Sequence, residues 1–266
     1  MEAAMKAKAA NPFAIEQQSP LSRFVLGLAD DALVLSHRLS QWCSKAPYLE
    51  EDIALSNVAL DYIGRARMFY QYAAEIEGKG RNEDDLAYLR DERQYTNLLI
   101  HELPKGDFAF TMARQFLVDV FYNMYLEKLV SSTDLTVAAV AAKAVKETRY
   151  HLKRSELWIT QLSQGTDESR QRILRALDEL KDFTGELFEV LDWEAQLVKT
   201  GVAVDRSILQ APWDAHVQKL LAASAIDYQD SKLQIRGGRN GIHTEHLGQM
   251  LCEMQYLQRS YPKMNW

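Results

Sequence analysis

Residues 134–163 read DLTVAAVAAKAVKETRYHLKRSELWITQLS. Steps of three and four residues through this stretch trace a face of mostly small or apolar side chains: Val137, Ala141, Ala144, Thr148, His151, Ser155, Trp158 and Leu162. The other side carries charged residues: Lys143, Lys146, Glu147, Arg149, Lys153 and Arg154. One apolar face that repeats at the helical period is typical of a long amphipathic helix in a bundle. The stretch therefore predicts an all-α fold.

The segments on both sides of this helix repeat the pattern. Glycine and proline, which weaken or interrupt helices, account for only 12 and 6 of the 266 residues. Apolar residues at helical spacing between positions 55 and 73 indicate a second long helix, which ends at the glycine-containing turn 78–80. We predict helices over about 22–42, 50–77, 84–102, 108–131, 134–163, 168–191, 193–199, 212–228 and 242–261.

Residues 1–19 differ from the rest of the chain. They are rich in Ala, Lys and Gln, and no sustained apolar stripe runs through them. Such a composition predicts a flexible N-terminal leader. Between residues 20 and 266 no linker divides the sequence, so we predict a single helical domain over that range.

Composition and charge argue against several classes of protein. Nucleic-acid binding relies on clustered Lys and Arg, whereas this chain has a net charge of −6. The sequence has no apolar run of about 18 residues, so we expect no membrane-spanning segment, and no secretory signal is visible. Cys43 and Cys252 lack the spacing of a metal site and fit a reducing cytosol. We therefore predict a cytoplasmic protein in which both thiols fill the core.

Two pairs of long predicted helices stand out. The first helix (22–42) pairs with the second (50–77), and the fourth (108–131) pairs with the fifth (134–163). Such pairs are typical of ferritin-like bundles, in which each pair supplies one Glu and one Glu-x-x-His motif to a central metal site. We predict a ferritin-like bundle of long antiparallel helices with additional C-terminal helices. The residues at the ligand positions then indicate whether a metal is expected.

The inward faces carry other residues at these ligand positions. The inward pair of the fifth helix is Thr148-x-x-His151, and that of the second helix is Tyr62-x-x-Arg65. Threonine has no carboxylate, and arginine is a permanent cation that cannot bind a metal at neutral pH. On the fourth helix, Asp119 is the carboxylate on the inward line. We expect no metal and no catalytic residue in this chain.

Several acidic residues are candidates to support this site. Asp30 and Asp31 lie near the start of the first helix, while Asp61 and Glu147 adjoin the inward pairs. An active metalloenzyme with a rebuilt site is the alternative, and it would draw on Asp30 or Asp31 together with Asp61, Asp119, Glu147 and His151.

The arginine and the histidine of the site each have two interpretations. We expect Arg65 to pair with Asp119 or another buried carboxylate, which would replace the positive charge of a lost metal. Alternatively, its side chain extends to the surface. We expect His151 to be a hydrogen-bonded core histidine rather than a ligand.

Several segments resemble one family of oxygenase components. Over residues 20–266 the chain is similar to the C subunits of bacterial phenylacetyl-CoA epoxidases. The segments that carry the resemblance are WCSKAP at 42–47, LDYIGR at 60–65, KETRYH at 146–151, GIHTEHLG at 241–248 and EMQYLQR at 253–259. In that family the catalytic sister subunit is also ferritin-like and carries Asp-Glu-x-Gly-His and Glu-Glu-x-x-His segments around a di-iron centre.

The resemblance implies that the site of this chain is vestigial. When the sister's two motifs are placed on this sequence, Tyr62 and Arg65 replace the Glu and His ligands of the first. Thr148 replaces the Glu of the second. His151 and the equivalent carboxylate Asp119 remain.

The resemblance also implies a function and a set of partners. The chain is expected to be a non-catalytic structural subunit that supports the catalytic subunit in epoxidising the aromatic ring of phenylacetyl-CoA. Further expected partners are a small bridging subunit and a reductase, with no nucleic acid and no membrane. Di-iron is expected in the catalytic partner, and NADPH, flavin and an iron–sulfur group in the reductase, with no cofactor in this chain. A stand-alone helical interaction protein is the second alternative.

Two C-terminal motifs have competing interpretations. The segment RGGR at 236–239 is most simply a turn, although its glycines and arginines could hold a phosphate group such as coenzyme A provides. His243-x-x-His246 has a spacing that could bind zinc on a helix face, but it lacks an evident third ligand. We expect it to serve hydrogen bonding or an interface.

Overall fold

The computed structural model describes residues 13–229, 231–262 and 264. Within these residues the chain forms α-helices and short 3-10 turns and no strand, which confirms the all-α prediction. The α-helices, numbered in chain order, are α1 Pro20–Ser40, α2 Leu49–Glu77, α3 Glu83–Tyr88, α4 Leu99–Glu102, α5 Phe108–Leu129, α6 Leu135–Gln164, α7 Asp167–Leu180, α8 Ala195–Lys199, α9 Gln210–Ala223, α10 Glu245–Met254 and α11 Tyr256–Ser260.

Two of these helices form the centre of the molecule. α1 and α5 are shielded from solvent on nearly all sides. A helix buried around its whole circumference has to be surrounded by other elements. α2 packs along α1, α6 packs along α5, and α2 and α6 contact each other to form one outer layer. α4, α7 and α9 cover the remaining sides.

Side-chain caps fix where the long helices begin. Ser19 Oγ accepts a hydrogen bond from Ser22 N at 3.1 Å, and Asp107 and Asp134 cap α5 and α6 in the same way. Such caps satisfy N–H groups that have no partner within the helix. α2 ends at Gly78, whose φ of +62° lies in the left-handed region that glycine adopts readily. The ends of the four long helices agree with the predictions to within about two residues.

The prediction of one helix over residues 84–102 is wrong. α3 and α4 form its ends, and the chain between them runs through a 3-10 turn and an extended stretch. The backbone N–H groups of Thr96 and Leu98 donate to the buried carboxylates of Asp30 and Asp31, each at 2.8 Å. Hydrogen bonds to α1 thus replace the bonds that a continuous helix would make within itself. Periodicity cannot reveal such a partner.

The later helices are shorter than predicted. The helix predicted over 168–191 ends at Leu180, and short 3-10 turns follow it. There the Asp182 carbonyl accepts a hydrogen bond from Ile235 N at 2.8 Å, so this stretch is tied to the C-terminal region. α9 ends at Ala223, with Pro212 as its third residue rather than its first. The helix predicted over 242–261 is divided into α10 and α11.

The predicted N-terminal leader is described only in part. Its residues 1–12 lie outside the described residues. Of the remainder, Ile15–Gln17 form a 3-10 turn in which Ile15 is buried. The Phe13 ring lies 4.1 Å from the Arg81 guanidinium. The flexibility of the leader and the single-domain organisation stay predictions.

Two further expectations concern the surface. The prediction that both cysteines fill the core is wrong, because Cys43 and Cys252 are exposed. Cys43 follows the end of α1, and Cys252 lies on the outer side of α10. In the part of the chain that the structure describes, no helix combines the length and the apolar character that a membrane crossing needs.

Candidate functional site

Three helices bring the candidate site residues together. Tyr62 and Arg65 come from α2, Asp119 from α5, and Thr148 and His151 from α6. At most 3% of each residue is exposed. The i, i+3 spacing places both members of each pair on one side of its helix. The five side chains therefore lie in the interior between α2, α5 and α6.

Asp119 is held by two hydroxyl groups. Tyr62 Oη donates to Oδ1 at 3.2 Å, and Ser155 Oγ donates to Oδ2 at 2.9 Å. Burial raises the pKa of Asp119 to about 6, although His151 and the two hydrogen bonds favour the charged form. The carboxyl group therefore titrates in mildly acidic solution rather than near its ordinary pKa.

The Arg65 guanidinium fills the space between the helices. The residue is 3% exposed, so the alternative in which its side chain extends to the surface is wrong. Nη2 donates to Thr148 Oγ1 at 3.1 Å. The charged group lies 4.8 Å from the centre of the Tyr62 ring and 5.7 Å from that of Tyr122. Both distances are within reach of cation–π attraction.

The carboxylate nearest to Arg65 is Glu147 rather than Asp119. Oε2 of Glu147 lies 4.0 Å from Arg65 Nη2. Glu147 is half-buried, although the sequence pattern places it on the charged side of its helix. Burial raises the pKa of Glu147, while Arg65 favours its charged form. A long ion pair at the edge of the interior contributes little, so Thr148 and the two rings are the main groups that stabilise Arg65.

His151 is oriented by its neighbours. Nε2 lies 2.9 Å from Oδ2 of Asp61, and the imidazole stacks on the Tyr62 ring with centres 5.4 Å apart. Nδ1 is buried and has no hydrogen-bond partner among the described residues. These contacts agree with a hydrogen-bonded core histidine. Asp61 and Glu147 thus adjoin the cluster.

The residues present do not fit a di-iron centre. Such a centre needs a carboxylate-rich set of ligands to balance and bridge two cations. Of the five positions, Asp119 and His151 carry the ligand types of such a centre, while burial and Asp119 raise the pKa of Tyr62 well above its usual value and keep its phenol protonated. The Arg65 cation lies among them. Within the described ranges, no group of three or more His, Cys, Asp or Glu side chains is arranged to hold a metal ion. This geometry does not support the alternative of a rebuilt metal site.

Asp30 lies outside this cluster, in a second buried network on α1. It pairs with Arg90 and accepts a hydrogen bond from Tyr70 Oη at 2.6 Å. Arg90 is 1% exposed, so two opposite charges are buried together. Removing either partner of such a pair destabilises the fold, because the other charge is left buried without a partner. Asp30 therefore joins α1 to the segment after α3 instead of supporting the cluster around Arg65.

Asp31 connects α1 to the C-terminal region in the same way. Arg239 Nη2 lies 2.6 Å from Oδ2, and His101 Nδ1 lies 3.2 Å from Oδ1. Although burial opposes ionisation, Arg239 and His101 hold the pKa of Asp31 well below its usual range. Tyr122 Oη donates to Oδ2 at 3.0 Å. Because the Tyr122 ring also faces Arg65, it links the two networks.

The turn RGGR at 236–239 is not arranged as a phosphate site. The N–H groups of Gly237 and Gly238 donate to Oε1 of Glu186 at 2.9 and 2.7 Å, so a carboxylate of the chain takes the place of an anion. A Cβ at Gly238 would lie 2.1 Å from the carbonyl oxygen of Asn97, so only glycine fits there.

The sequence pattern does not reveal the part played by the arginines of this second network. Arg90 and Arg239 pair with acids that lie 60 and 208 positions away in the chain. Neither residue belongs to a periodic pattern or a motif that predicts its partner. The signal in the sequence was weaker: two adjacent aspartates within an apolar helix need buried cations.

His243 and His246 do not form a pair of metal ligands. Both ring nitrogens of His243 are engaged, Nδ1 with Oε2 of Glu102 at 2.8 Å and Nε2 with the Tyr95 carbonyl at 2.9 Å. Burial opposes protonation, but these two acceptors raise the pKa of His243 above its ordinary value. His246 is partly exposed and lies 4.0 Å from Glu245. The arrangement agrees with a hydrogen-bonding role and not with zinc binding.

Comparison with known proteins relates this arrangement to a family. A sequence model of the phenylacetic acid catabolic proteins matches residues 1–266. The chain belongs to this family. The C subunit of the 1,2-phenylacetyl-CoA epoxidase of Escherichia coli (strain K12) is 46% identical over 246 residues, which cover 92% of this chain and 99% of the relative.

Membership of the phenylacetic acid catabolic proteins confirms the resemblance drawn from segments such as LDYIGR and KETRYH. It also agrees with the ferritin-like interpretation of the bundle. In this member of the family, the long hairpins α1–α2 and α5–α6 enclose the cluster around Arg65. Three of its five positions carry neither a carboxylate nor an imidazole: Tyr62, Arg65 and Thr148.

Proposed function

We propose that this chain is the structural, non-catalytic subunit of a multicomponent phenylacetyl-CoA epoxidase. The observation that carries the proposal is the burial of the Arg65 guanidinium, at a position where the resemblance to the catalytic sister subunit implies a metal ligand. The relative's printed name supplies the reaction, the epoxidation of phenylacetyl-CoA. In such a complex this chain supports a homologous catalytic subunit.

A buried arginine can replace the charge of a metal but not its chemistry. Its positive charge is fixed at neutral pH, and it offers hydrogen-bond donors only. It can therefore hold neighbouring helices together, but it has no open coordination position at which dioxygen could bind. The Thr148 hydroxyl and the faces of Tyr62 and Tyr122 reduce the cost of burying the charge.

The proposal assigns the chemistry to partner proteins. Di-iron belongs to the catalytic subunit, and NADPH, flavin and an iron–sulfur group belong to a reductase. The complex also includes a small bridging subunit, and we place it in the cytoplasm. Two related bundles can keep a pseudo-symmetric interface while only one of them retains the metal.

Co-expression with the catalytic subunit of the same organism tests the proposal. We expect the two chains to co-purify at moderate salt concentration. With the reductase and NADPH added, the pair is expected to consume dioxygen and form the epoxide of phenylacetyl-CoA, measured by mass spectrometry. The catalytic subunit expressed alone is the control, and it is expected to be less stable or less active. Failure of the two chains to co-purify would contradict the proposal.

A further inference from the structure

Arg114 on α5 places a positive charge in the interior without an acidic partner. The residue is 0% exposed. Two other buried arginines, Arg90 and Arg239, pair with Asp30 and Asp31. Among the residues that the structure describes, no acidic side chain pairs with Arg114. A buried charge without a partner of opposite sign is strongly destabilising, so this guanidinium differs from the other two in needing a counter-ion.

The nearest charged neighbour of Arg114 is a second arginine. Arg38 Nε and Nη2 donate to the Glu102 carbonyl at 3.0 and 2.7 Å. Arg114 Nη1 donates to the next two carbonyls, that of Leu103 at 2.7 Å and that of Pro104 at 3.3 Å. Burial and the charge of Arg38 lower the pKa of Arg114 to about 9. The guanidinium is still charged at neutral pH, and its surroundings oppose that charge.

The carboxylate of Glu102 does not compensate for Arg114. Oε2 of Glu102 is bound to His243 Nδ1 at 2.8 Å. Burial lowers the pKa of Arg38, while the charges of Glu102 and Glu253 raise it. Neither acid acts in this way on Arg114. The two arginines therefore lie side by side, and acidic groups of the chain act on one of them.

The unpaired side of the Arg114 guanidinium has the geometry of an anion site. Nε and Nη2 are buried and have no hydrogen-bond partner among the described residues. The N–H groups of these two nitrogens point in parallel, so together they can hold one acceptor. The same fork holds a single oxygen elsewhere in this protein, at Arg38 with the Glu102 carbonyl and at Arg172 with Oε1 of Glu168. The fork of Arg114 is directed at a position where an acceptor is expected.

We propose that the Nε–Nη2 fork of Arg114 binds a small monovalent anion, of which chloride is the physiological example. The anion balances the buried charge, and the two N–H groups replace part of its hydration. A water molecule would accept from both donors but would leave the charge uncompensated. A halide suits the position better than phosphate or sulfate, because a single negative charge matches one arginine. This inference is independent of the proposed function, since it concerns the chain alone.

The dependence of stability on chloride tests the Arg114 anion site. Thermal unfolding of the full chain is compared in sodium chloride and in sodium methanesulfonate, each at about 100 mM, so that surface charges are screened equally. A ligand that binds the folded state raises Tm in proportion to its occupancy. We expect Tm to be higher in chloride by about 3 °C or more.

A substitution and a matched control assign this effect to Arg114. Arg114→Met keeps a long side chain and removes the charge, so we expect Tm to become independent of chloride. Arg170 also donates to backbone carbonyls, those of Ser163, Ser224 and Ala225, but it is partly exposed. Arg170→Met is expected to keep the chloride dependence of the unsubstituted chain. Absence of chloride dependence in the unsubstituted chain, or its persistence in Arg114→Met, would overturn the site.

A second measurement needs no variant. Crystals of the unsubstituted chain are grown with bromide in place of chloride, and diffraction is recorded at the bromine absorption edge. We expect an anomalous peak within hydrogen-bond distance of Nε and Nη2 of Arg114. Electron density at that position without an anomalous signal would identify a water molecule and overturn the inference.

Discussion

Arg65 enters the interior of the bundle with few groups to stabilise its charge. Thr148 accepts one hydrogen bond, Glu147 lies 4.0 Å away, and the rings of Tyr62 and Tyr122 face the guanidinium. Nε and Nη1 are buried and have no hydrogen-bond partner among the described residues. The cluster therefore combines tight packing with incomplete hydrogen bonding, and its energetics depend on individual side chains.

Replacing Arg65 tests how much its packing contributes. Arg65→Ala removes a long buried side chain and its contact with Thr148, so we expect the free energy of unfolding to fall by roughly 2–3 kcal/mol. The matched control is Arg67→Ala on the same helix, where 69% of the side chain is exposed. That variant is expected to change stability by less than about 0.5 kcal/mol. Unfolding in guanidinium chloride measures the stability of both variants. Equal effects would contradict a buried structural role for Arg65.

The raised pKa of Asp119 predicts that the stability of the fold depends on pH. Its folded pKa of about 6 exceeds the ordinary value of 3.8, so the folded state binds more protons between these values. The contribution of this group to stability is therefore lost as pH rises from about 4 to above about 6. Asp119→Asn keeps an acceptor for Tyr62 and cannot ionise. We expect the variant to remove this loss, which amounts to as much as about 3 kcal/mol.

Unfolding curves at pH 4, 5, 6, 7 and 8 measure the effect of Asp119→Asn. The control is Asp178→Asn, which removes a carboxylate that is 73% exposed. If the two variants changed the slope of stability against pH equally, the buried environment of Asp119 would not be its cause.

At the scale of elements, the spacing of apolar residues predicts those parts of the fold that apolar packing determines. The four long helices and the inward pairs, such as Tyr62 with Arg65, follow from apolar spacing alone. The chain between α3 and α4 and the turns after Leu180 do not, because long-range partners fix their backbone. Asp31 accepts a hydrogen bond from Leu98 N, and the Asp182 carbonyl accepts one from Ile235 N. The Arg65 environment was predicted in part: its burial was expected, whereas the carboxylate nearest to it is the half-buried Glu147 rather than Asp119.

Arg239 tests the connection between α1 and the C-terminal region. Arg239→Ala leaves Asp31 buried without its principal cation, so we expect a loss of roughly 3–5 kcal/mol in unfolding free energy near pH 7. Because the folded pKa of Asp31 is depressed, the contribution of the pair is present above about pH 4 and is lost as pH falls. The variant and the unsubstituted chain should therefore converge in acid.

The control for Arg239 is its neighbour in the same turn. The Arg236 side chain is 46% exposed and pairs with Glu189 at 3.3 Å, so Arg236→Ala should cost less than about 1 kcal/mol. Urea unfolding monitored by circular dichroism measures both variants. A loss for Arg239→Ala that persisted undiminished at low pH would contradict the assignment to Asp31.

At the scale of the whole molecule, the two sides of the bundle differ. On one side, buried ion pairs of Asp30 and Asp31 fasten the connecting and C-terminal segments onto α1. On the other, α2 and α6 cover the cluster around Arg65 and expose several large apolar side chains, among them Leu49, Tyr150 and Leu157.

A substitution at Tyr62 distinguishes a structural role of the cluster from a catalytic one. Tyr62→Phe keeps the ring and removes the hydrogen bond to Asp119, so we expect stability to fall by about 1 kcal/mol. In the complex with the catalytic subunit, turnover of phenylacetyl-CoA is expected to stay within about twofold of the unsubstituted complex. A loss of turnover by about a hundredfold or more, in a complex that still assembles, would contradict a non-catalytic chain.

The metal content of the isolated chain tests the central claim most directly. The purified subunit is incubated anaerobically with ferrous iron, desalted, and analysed by mass spectrometry and optical absorbance. The catalytic subunit is treated in parallel as the positive control for loading. We predict negligible bound iron in this chain and a loaded centre in its partner. Tightly bound iron in this chain, in an amount comparable to that of the catalytic subunit, would contradict the account.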